Sequence, residues 1–226
     1  MVHLYHVPSW FLGYDIILHI VYCLITLLVS IAAFRVFKIS QQRSLRLFAT
    51  SFSFISAAYF FDALLNFLVV SKLNESIGIM TKIFTVTILN TVGSYLHIIF
   101  FTLGLATLTY MTFKSKNLKA YSLTLILCFV AVFFASNLFF SYHLLSSIFL
   151  AYIIIHYLSV FIRKKKYNAL LMLVAFAFLL ISNVHFVFSA LNNEANYIIS
   201  HAIELTAYLL ILVNLILVRK NEQKKK

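Results

Sequence analysis

The sequence predicts an all-α polytopic membrane protein, a seven-transmembrane-helix bundle, and three observations carry that prediction. The 226 residues are 63% hydrophobic and only 11% charged, with a mean hydropathy of +0.99; a soluble domain carries roughly 25% charged residues. Apolar runs long enough to cross a bilayer, about 18 residues or more, recur along the whole chain. The 18 Lys and Arg residues gather in the short breaks between those runs.

Taken in order, the first span is expected at about 14–37 and closes on Arg35 and Lys38. The second, about 45–70, opens after Arg43 and stops at "SKLNES". The third, about 84–113, follows Lys82 and ends at "KSKN". The fourth, about 120–138, has the weakest boundary: in "FFASNLFFSYH" two half-polar clusters, Ser136 with Asn137 and Ser141 with His143, permit a tight turn. The fifth, about 142–162, closes on the basic run Arg163 to Lys166. The sixth, about 169–191, gives way to "NNEAN", and the seventh, about 197–218, ends at Arg219 and Lys220. The single Pro, Pro8, lies outside every span, so unbroken helices are expected.

Charge in the breaks predicts orientation. Of the 18 basic residues, 16 fall in alternate connections and the tail, and only Lys72 and Lys82 fall in the opposite set. By the positive-inside rule this expects the N-terminus outside and a short basic tail, 219–226, in the cytoplasm, in a plasma-membrane protein. The same distribution explains the net charge of +12 without nucleic acid, which is not an expected partner; the bilayer is. The start "MVHLYHVPSWFLGYD" has no basic stretch before its apolar run, so a cleaved signal peptide is not expected. Cys23 and Cys128 each lie within a span, without a CxxC pair, and read as packed thiols.

An internal pattern links the halves. "FISAAYFFDALLNF" lies beside "LISNVHFVFSALNN" without a gap, matching Ile55, Ser56, Phe60, Leu65 and Asn66 to Ile181, Ser182, Phe186, Leu191 and Asn192. Spans three and seven set His97 opposite His201. This predicts a 3+1+3 parallel repeat, two three-helix units joined by span four.

Ionisable residues inside spans are costly and default to functional candidates. Asp15, His19, Tyr22, Thr26 and Ser30 step by four or three and form one helix stripe, as do Ser56, Tyr59, Asp62 and Asn66. Span six offers His185, and span seven His201 with Glu204 one turn apart. Asp15, His19, Asp62, His185, His201 and Glu204 are thus expected in the outer half, with His97 below them. Imidazole with carboxylate suits a divalent metal, though no HExxH or HxxxH spacing is present. Two readings stay open: a shared pocket, or scattered pairs that only satisfy one another at the headgroup level.

The stretches "AFRVFKISQQRSLRLFATSFSFISAAYFF" and "HAIELTAYLLILVNLILVRK" resemble small uncharacterised seven-helix membrane proteins of archaea and the related seven-helix input modules of some histidine kinases. That resemblance implies a sensor-like module. Two other seven-span families differ at their chemistry. A retinal pigment needs a Lys in the last span, which is absent here; the alkaline-ceramidase and adiponectin-receptor zinc hydrolases use a His pair there, where this chain has His201 and Glu204. The expected function is therefore a ligand-sensing or binding module acting through a protein partner on the cytoplasmic face. The alternatives are a metal-dependent intramembrane hydrolase or redox enzyme and, third, a small transporter.

Overall fold

The computed structural model describes residues 11–73, 79–113, 117–189 and 194–223. Seven helices account for nearly all of them: α1 (Leu12–Ser40), α2 (Arg43–Leu73), α3 (Ile79–Thr112), α4 (Leu118–Phe133), α5 (Leu138–Lys164), α6 (Tyr167–Ser189) and α7 (Glu194–Gln223). Six are long and apolar enough to span a membrane. The chain is a helical membrane bundle.

Its core is apolar, as in a soluble protein, with Val29, Phe52, Leu105, Ile153 and Phe176 buried in it, but its outside is apolar too. The outer surface shows Ile17, Leu24 and Leu28 on α1, Leu123, Ile126 and Leu127 on α4, and Leu144, Ile148 and Ile155 on α5. Hydroxyl, imidazole and carboxyl groups, among them Thr26, Ser30, Asp62, His97, Ser146 and His201, are buried. In water this arrangement would expose the apolar surface that folding ordinarily removes. In hydrocarbon it satisfies polar groups internally.

The ends of the helices follow local chemistry. After α1 and α5 the chain turns through two left-handed residues, Gln41 (φ 54°) and Lys165 (φ 46°). Their N–H groups donate to Phe37 O and Phe161 O, both at 2.7 Å, in the manner of left-handed C-caps. Asn117 caps α4 by accepting from Lys119 N and Ala120 N, and Asn137 caps α5 by accepting from Phe140 N at 3.0 Å.

That second cap revises the fourth span. The sequence reading ran it to residue 138 and placed the turn just beyond. Here α4 stops at Phe133 and the turn is already complete at Asn137. Phe139 and Phe140, apolar enough to extend span four, belong to α5 because an Asn side chain satisfies the free N–H groups of a new helix better than apolar neighbours can. With 16 residues α4 is roughly 24 Å long at 1.5 Å per residue, short of a hydrocarbon core of about 30 Å.

The helices close into a ring. α1 packs on α2, α2 on α3, α3 on α5, α5 on α6, α6 on α7, and α7 returns to α1; α4 touches only α3 and α5. The ring therefore consists of two three-helix units, with α4 outside as the connector. The α1–α2 seam is tied by Ser30 Oγ, 2.9 Å from Ala49 O and 2.7 Å from Ser53 Oγ. At Gly104 the α2–α3 seam has no room for a side chain: a Cβ there would lie 2.6 Å from Ile55 Cγ1 and 2.9 Å from Ser51 O. Small residues let membrane helices approach closely, and these two seams use them so.

Candidate functional site: a carboxylate–imidazole cavity inside the ring

The polar stripes on α1 and α2 face inward, and α7 meets them. Asp15 is a junction. Its Oδ1 accepts from Tyr197 Oη at 2.6 Å and lies 3.4 Å from His201 Nε2. Its Oδ2 lies 3.4 Å from both His19 Nδ1 and Asn66 Nδ2. The other nitrogen of His19, Nε2, is 3.2 Å from Asp62 Oδ2. That same oxygen is 3.5 Å from His97 Nδ1, and His97 Nε2 is 3.3 Å from Tyr142 Oη.

On the α7 side, His201 Nδ1 sits 3.1 Å from Tyr22 Oη and 4.0 Å from Glu204 Oε2. The Tyr22 hydroxyl donates to His201 O at 2.8 Å. Glu204 Oε1 accepts from Tyr59 Oη, which is itself 2.8 Å from Tyr208 Oη. Carboxylates and imidazoles thus alternate in one connected path, Glu204, His201, Asp15, His19, Asp62, His97, Tyr142, which crosses α7, α1, α2, α3 and α5.

These residues are buried, Asp15 to 2% exposure and His201 to 3%. Charge removed from water must be compensated nearby. Among the described residues no Lys or Arg lines the cavity that the path borders. Compensation for the three acids therefore has to come from imidazoles, phenols or an occupant. The Tyr22, Tyr59 and Tyr208 rings pack against one another, with centroids 5.1 to 6.0 Å apart; Tyr59 and Tyr208 turn their hydroxyls to Glu204 and Tyr22 turns its own to His201.

The cavity has a volume of about 50 Å³ and two chemically different ends. His19, Asp62, His97, His143, His201 and Glu204 line one. Phe52, Leu105, Leu108, Leu150, Phe176 and Leu179 line the other. From His97 to Leu108 on α3 the wall runs roughly 16 Å at 1.5 Å per residue, so a small volume is drawn out into a narrow shaft.

Of the seven candidates from the sequence, His19, Asp62, His97, His201 and Glu204 line this cavity, and Asp15 stands directly behind them. His185 does not take part. It is half-buried, with Nδ1 3.1 Å from Asn196 Oδ1, and ties α6 to the start of α7. Among the described residues no group of three His, Cys, Asp or Glu is disposed to hold one metal ion; the acid–imidazole contacts are pairwise.

Sequence reasoning passed over Tyr142, Asn183, Tyr197 and Tyr208 and left His143 outside the candidate set. A signal existed on α7, where Tyr197, His201, Glu204 and Tyr208 step by four, three and four, the same stripe rule that picked out α1. No comparable signal marks Asn183. Its side chain is occupied across the α5–α6 seam, where Nδ2 donates to His143 O at 2.8 Å and to Ser147 Oγ at 2.6 Å.

The ring also brings together residues at corresponding positions on α1 and α5 and on α3 and α7. His19 and His143 each precede their left-handed cap, Gln41 or Lys165, by 22 residues, and His97 faces His201 in the pattern already noted. All four imidazoles line the cavity. The acids break this symmetry: counted from the same caps, Asp15 corresponds to Phe139, so carboxylates gather on the α1, α2 and α7 side.

Comparison with known proteins returned no match to any family model, curated protein or solved structure. The fold and the site define a seven-helix membrane protein with an internal carboxylate–imidazole cavity.

Proposed function

We propose that this chain is a ligand-binding, sensor-type membrane module whose occupant sits in the carboxylate–imidazole cavity and alters the seam between the two three-helix units. The single observation that carries the reading is the convergence of ionisable groups from α1, α2, α3 and α7 on one cavity. Scattered satisfying pairs would not need to share a cavity, and buried charge in a membrane is retained where it serves a site. The metal-enzyme alternative has less support, since among the described residues no three of these groups are disposed around one point. Transport has less as well, because α1 to α7 run without the midplane breaks that transport helices often carry.

A direct test is to denature the purified protein in organic solvent and identify what it releases. A stoichiometric small molecule is expected from the wild type and none from Asp62→Asn/Glu204→Gln. Wild-type protein that releases nothing, and whose melting temperature no compound in a broad small-molecule library raises, would sink the reading.

The proposed orientation sets the cavity in the outer half and the basic end in the cytoplasm of the plasma membrane, where a protein partner would read the seam. The basic end carries Arg35, Lys38, Arg43, Arg163, Lys164 and Arg219, which supports that orientation through the positive-inside rule. Cysteine labelling checks it. A side chain at Gly13 meets nothing within 4 Å, so Gly13→Cys should react in intact cells with a membrane-impermeant maleimide, and Gln42→Cys only after lysis. The reverse pattern overturns the topology. A native pull-down that yields this chain alone counts against the partner.

A further inference from the structure

We propose that the occupant is a single-chain amphiphile with a primary ammonium head, the head among Asp62, Glu204 and His143 and the chain in the apolar shaft. This rests on the binding-module reading and names the ligand class for that site.

Three acceptors line the head end of the cavity: the carboxyl groups of Asp62 and Glu204 and a ring nitrogen of His143. His143 shows this most clearly. Asn183 Nδ2 gives its hydrogens to His143 O and Ser147 Oγ, so the remaining Asn183 atom, Oδ1, is an acceptor. It lies 2.5 Å from His143 Nδ1, and that nitrogen must therefore carry the proton. A neutral imidazole protonated at Nδ1 presents a lone pair at Nε2. His143 is 4% exposed and lines the cavity, and its Nε2 has no hydrogen-bond partner. A buried acceptor without a donor costs free energy; a ligand N–H would remove that cost.

The carboxyl groups of Asp62 and Glu204 line the same end, and among the described residues no Lys or Arg lines the cavity with them. A ligand that carries donors and positive charge answers both needs, and an ammonium has three donors and no acceptor. The phenol and imidazole rings around it, Tyr59, His97, Tyr142 and Tyr208, add faces that attract cations. A carboxylate or phosphate head would meet acids and lone pairs and would be repelled.

The rest of the cavity selects the tail. Phe52, Ile55, Leu105, Leu108, Leu150, Phe176 and Leu179 offer no polar side-chain atom, and the space is narrow and drawn out. An unbranched alkyl chain fits such a shaft and gains from burial in it. A bulky or ring-shaped tail does not fit.

The test measures binding of decylamine, decanol, decanoate and methylamine to the whole protein in phosphatidylcholine nanodiscs, by calorimetry and thermal shift. Empty nanodiscs serve to subtract partition into lipid. Decylamine is expected to bind at least about tenfold more tightly than decanol or methylamine, in line with a charge-assisted contact and a buried chain, and decanoate not at all. Leu105→Trp, which plugs the shaft, should abolish decylamine binding, and Phe176→Ala, which widens it, should favour a bulkier branched-chain amine. Asp62→Asn should bring decylamine down to the affinity of decanol.

Decanol or decanoate binding as tightly as decylamine, with loss in Leu105→Trp, would overturn the ammonium head and leave a ligand-binding cavity. Methylamine matching decylamine, or unchanged decylamine binding in both shaft variants, would overturn the chain. Release of a compound of another class by the solvent extraction described above, with no decylamine binding, refutes this inference while the binding-module reading stands.

Discussion

Asp15→Ala is expected to be the most destabilising single substitution in the bundle, at a cost of about 3–5 kcal/mol, the range for removing one partner of a buried ion pair. The carboxyl group holds four side chains at once: Tyr197 at 2.6 Å, and His201, His19 and Asn66 each at 3.4 Å. Alanine leaves a buried hydroxyl, an amide and two imidazoles without that partner. Water has little access to make up the loss, because Asp15, Tyr197 and His201 are each no more than 3% exposed. The damage falls on the seam where α7 returns to α1, so the ring should open there first. Thermal unfolding in nanodiscs measures the cost, and amide exchange along α7 locates it. Asp15→Asn keeps the shape and a carbonyl acceptor, and is expected to recover about half the loss. Asp15→Ala within about 1 kcal/mol of wild type would show that the junction contributes little to the fold.

The second large effect is expected at Tyr59, and it takes the form of a coupling. Tyr59 Oη donates to Glu204 Oε1, and a second hydroxyl, Tyr208 Oη, lies farther from that oxygen, at 3.5 Å. Tyr59→Phe keeps the ring, its packing on Tyr22 and Tyr208, and the helix stripe, but strips the acid of its nearest donor. Hydrogen bonds to charged groups contribute about 1.5–3 kcal/mol, and a buried acceptor left bare incurs the full desolvation cost. Removing the acid as well should return part of this. Tyr59→Phe/Glu204→Gln is therefore expected to be less destabilised than the sum of its single variants, by about 0.5–3 kcal/mol, as found for residues in direct contact. Strict additivity in the double-mutant cycle would mean that the two side chains do not act on each other.

Much of the architecture was readable in the sequence because a bilayer imposes it. Every span must be apolar for about 20 residues, so helix number, approximate bounds and the basic turns after α1 and α5 follow from local composition. The fourth span misled for a local reason. Phe134, Ala135 and Leu138 continue the apolar run of the span, and only the Asn137 cap marks that α4 has ended and that Leu138 opens α5. The stripes on α1 and α2 were also legible, since a period of four and three residues states which side chains share a face.

Which faces met was not legible. A stripe on one helix does not say what it packs against, and polar residues at similar depth can equally well serve separate pairs. His185 and His201 looked alike in sequence, each one turn or so from other polar groups. Packing sent His185 to Asn196 in the α6–α7 seam and His201 to Asp15, Tyr22 and Glu204 inside the ring. Asn183 carried no signal at all, yet it sets the tautomer of His143 across the α5–α6 seam.

By itself, then, the amino-acid sequence determined that this chain forms apolar helices, where their basic ends lie and which residues each helix sets on one face, because those properties depend on composition and helical period within a single segment. Only the tertiary structure decided that α4 stands outside a ring of six, that Asp15, His19, Asp62, His97, His201 and Glu204 form one connected path, and that an apolar shaft continues from it. Those facts depend on contacts between residues as much as 186 positions apart, as Asp15 and His201 are, and the hydrocarbon around the bundle is indifferent to which polar faces pair so long as each is turned inward.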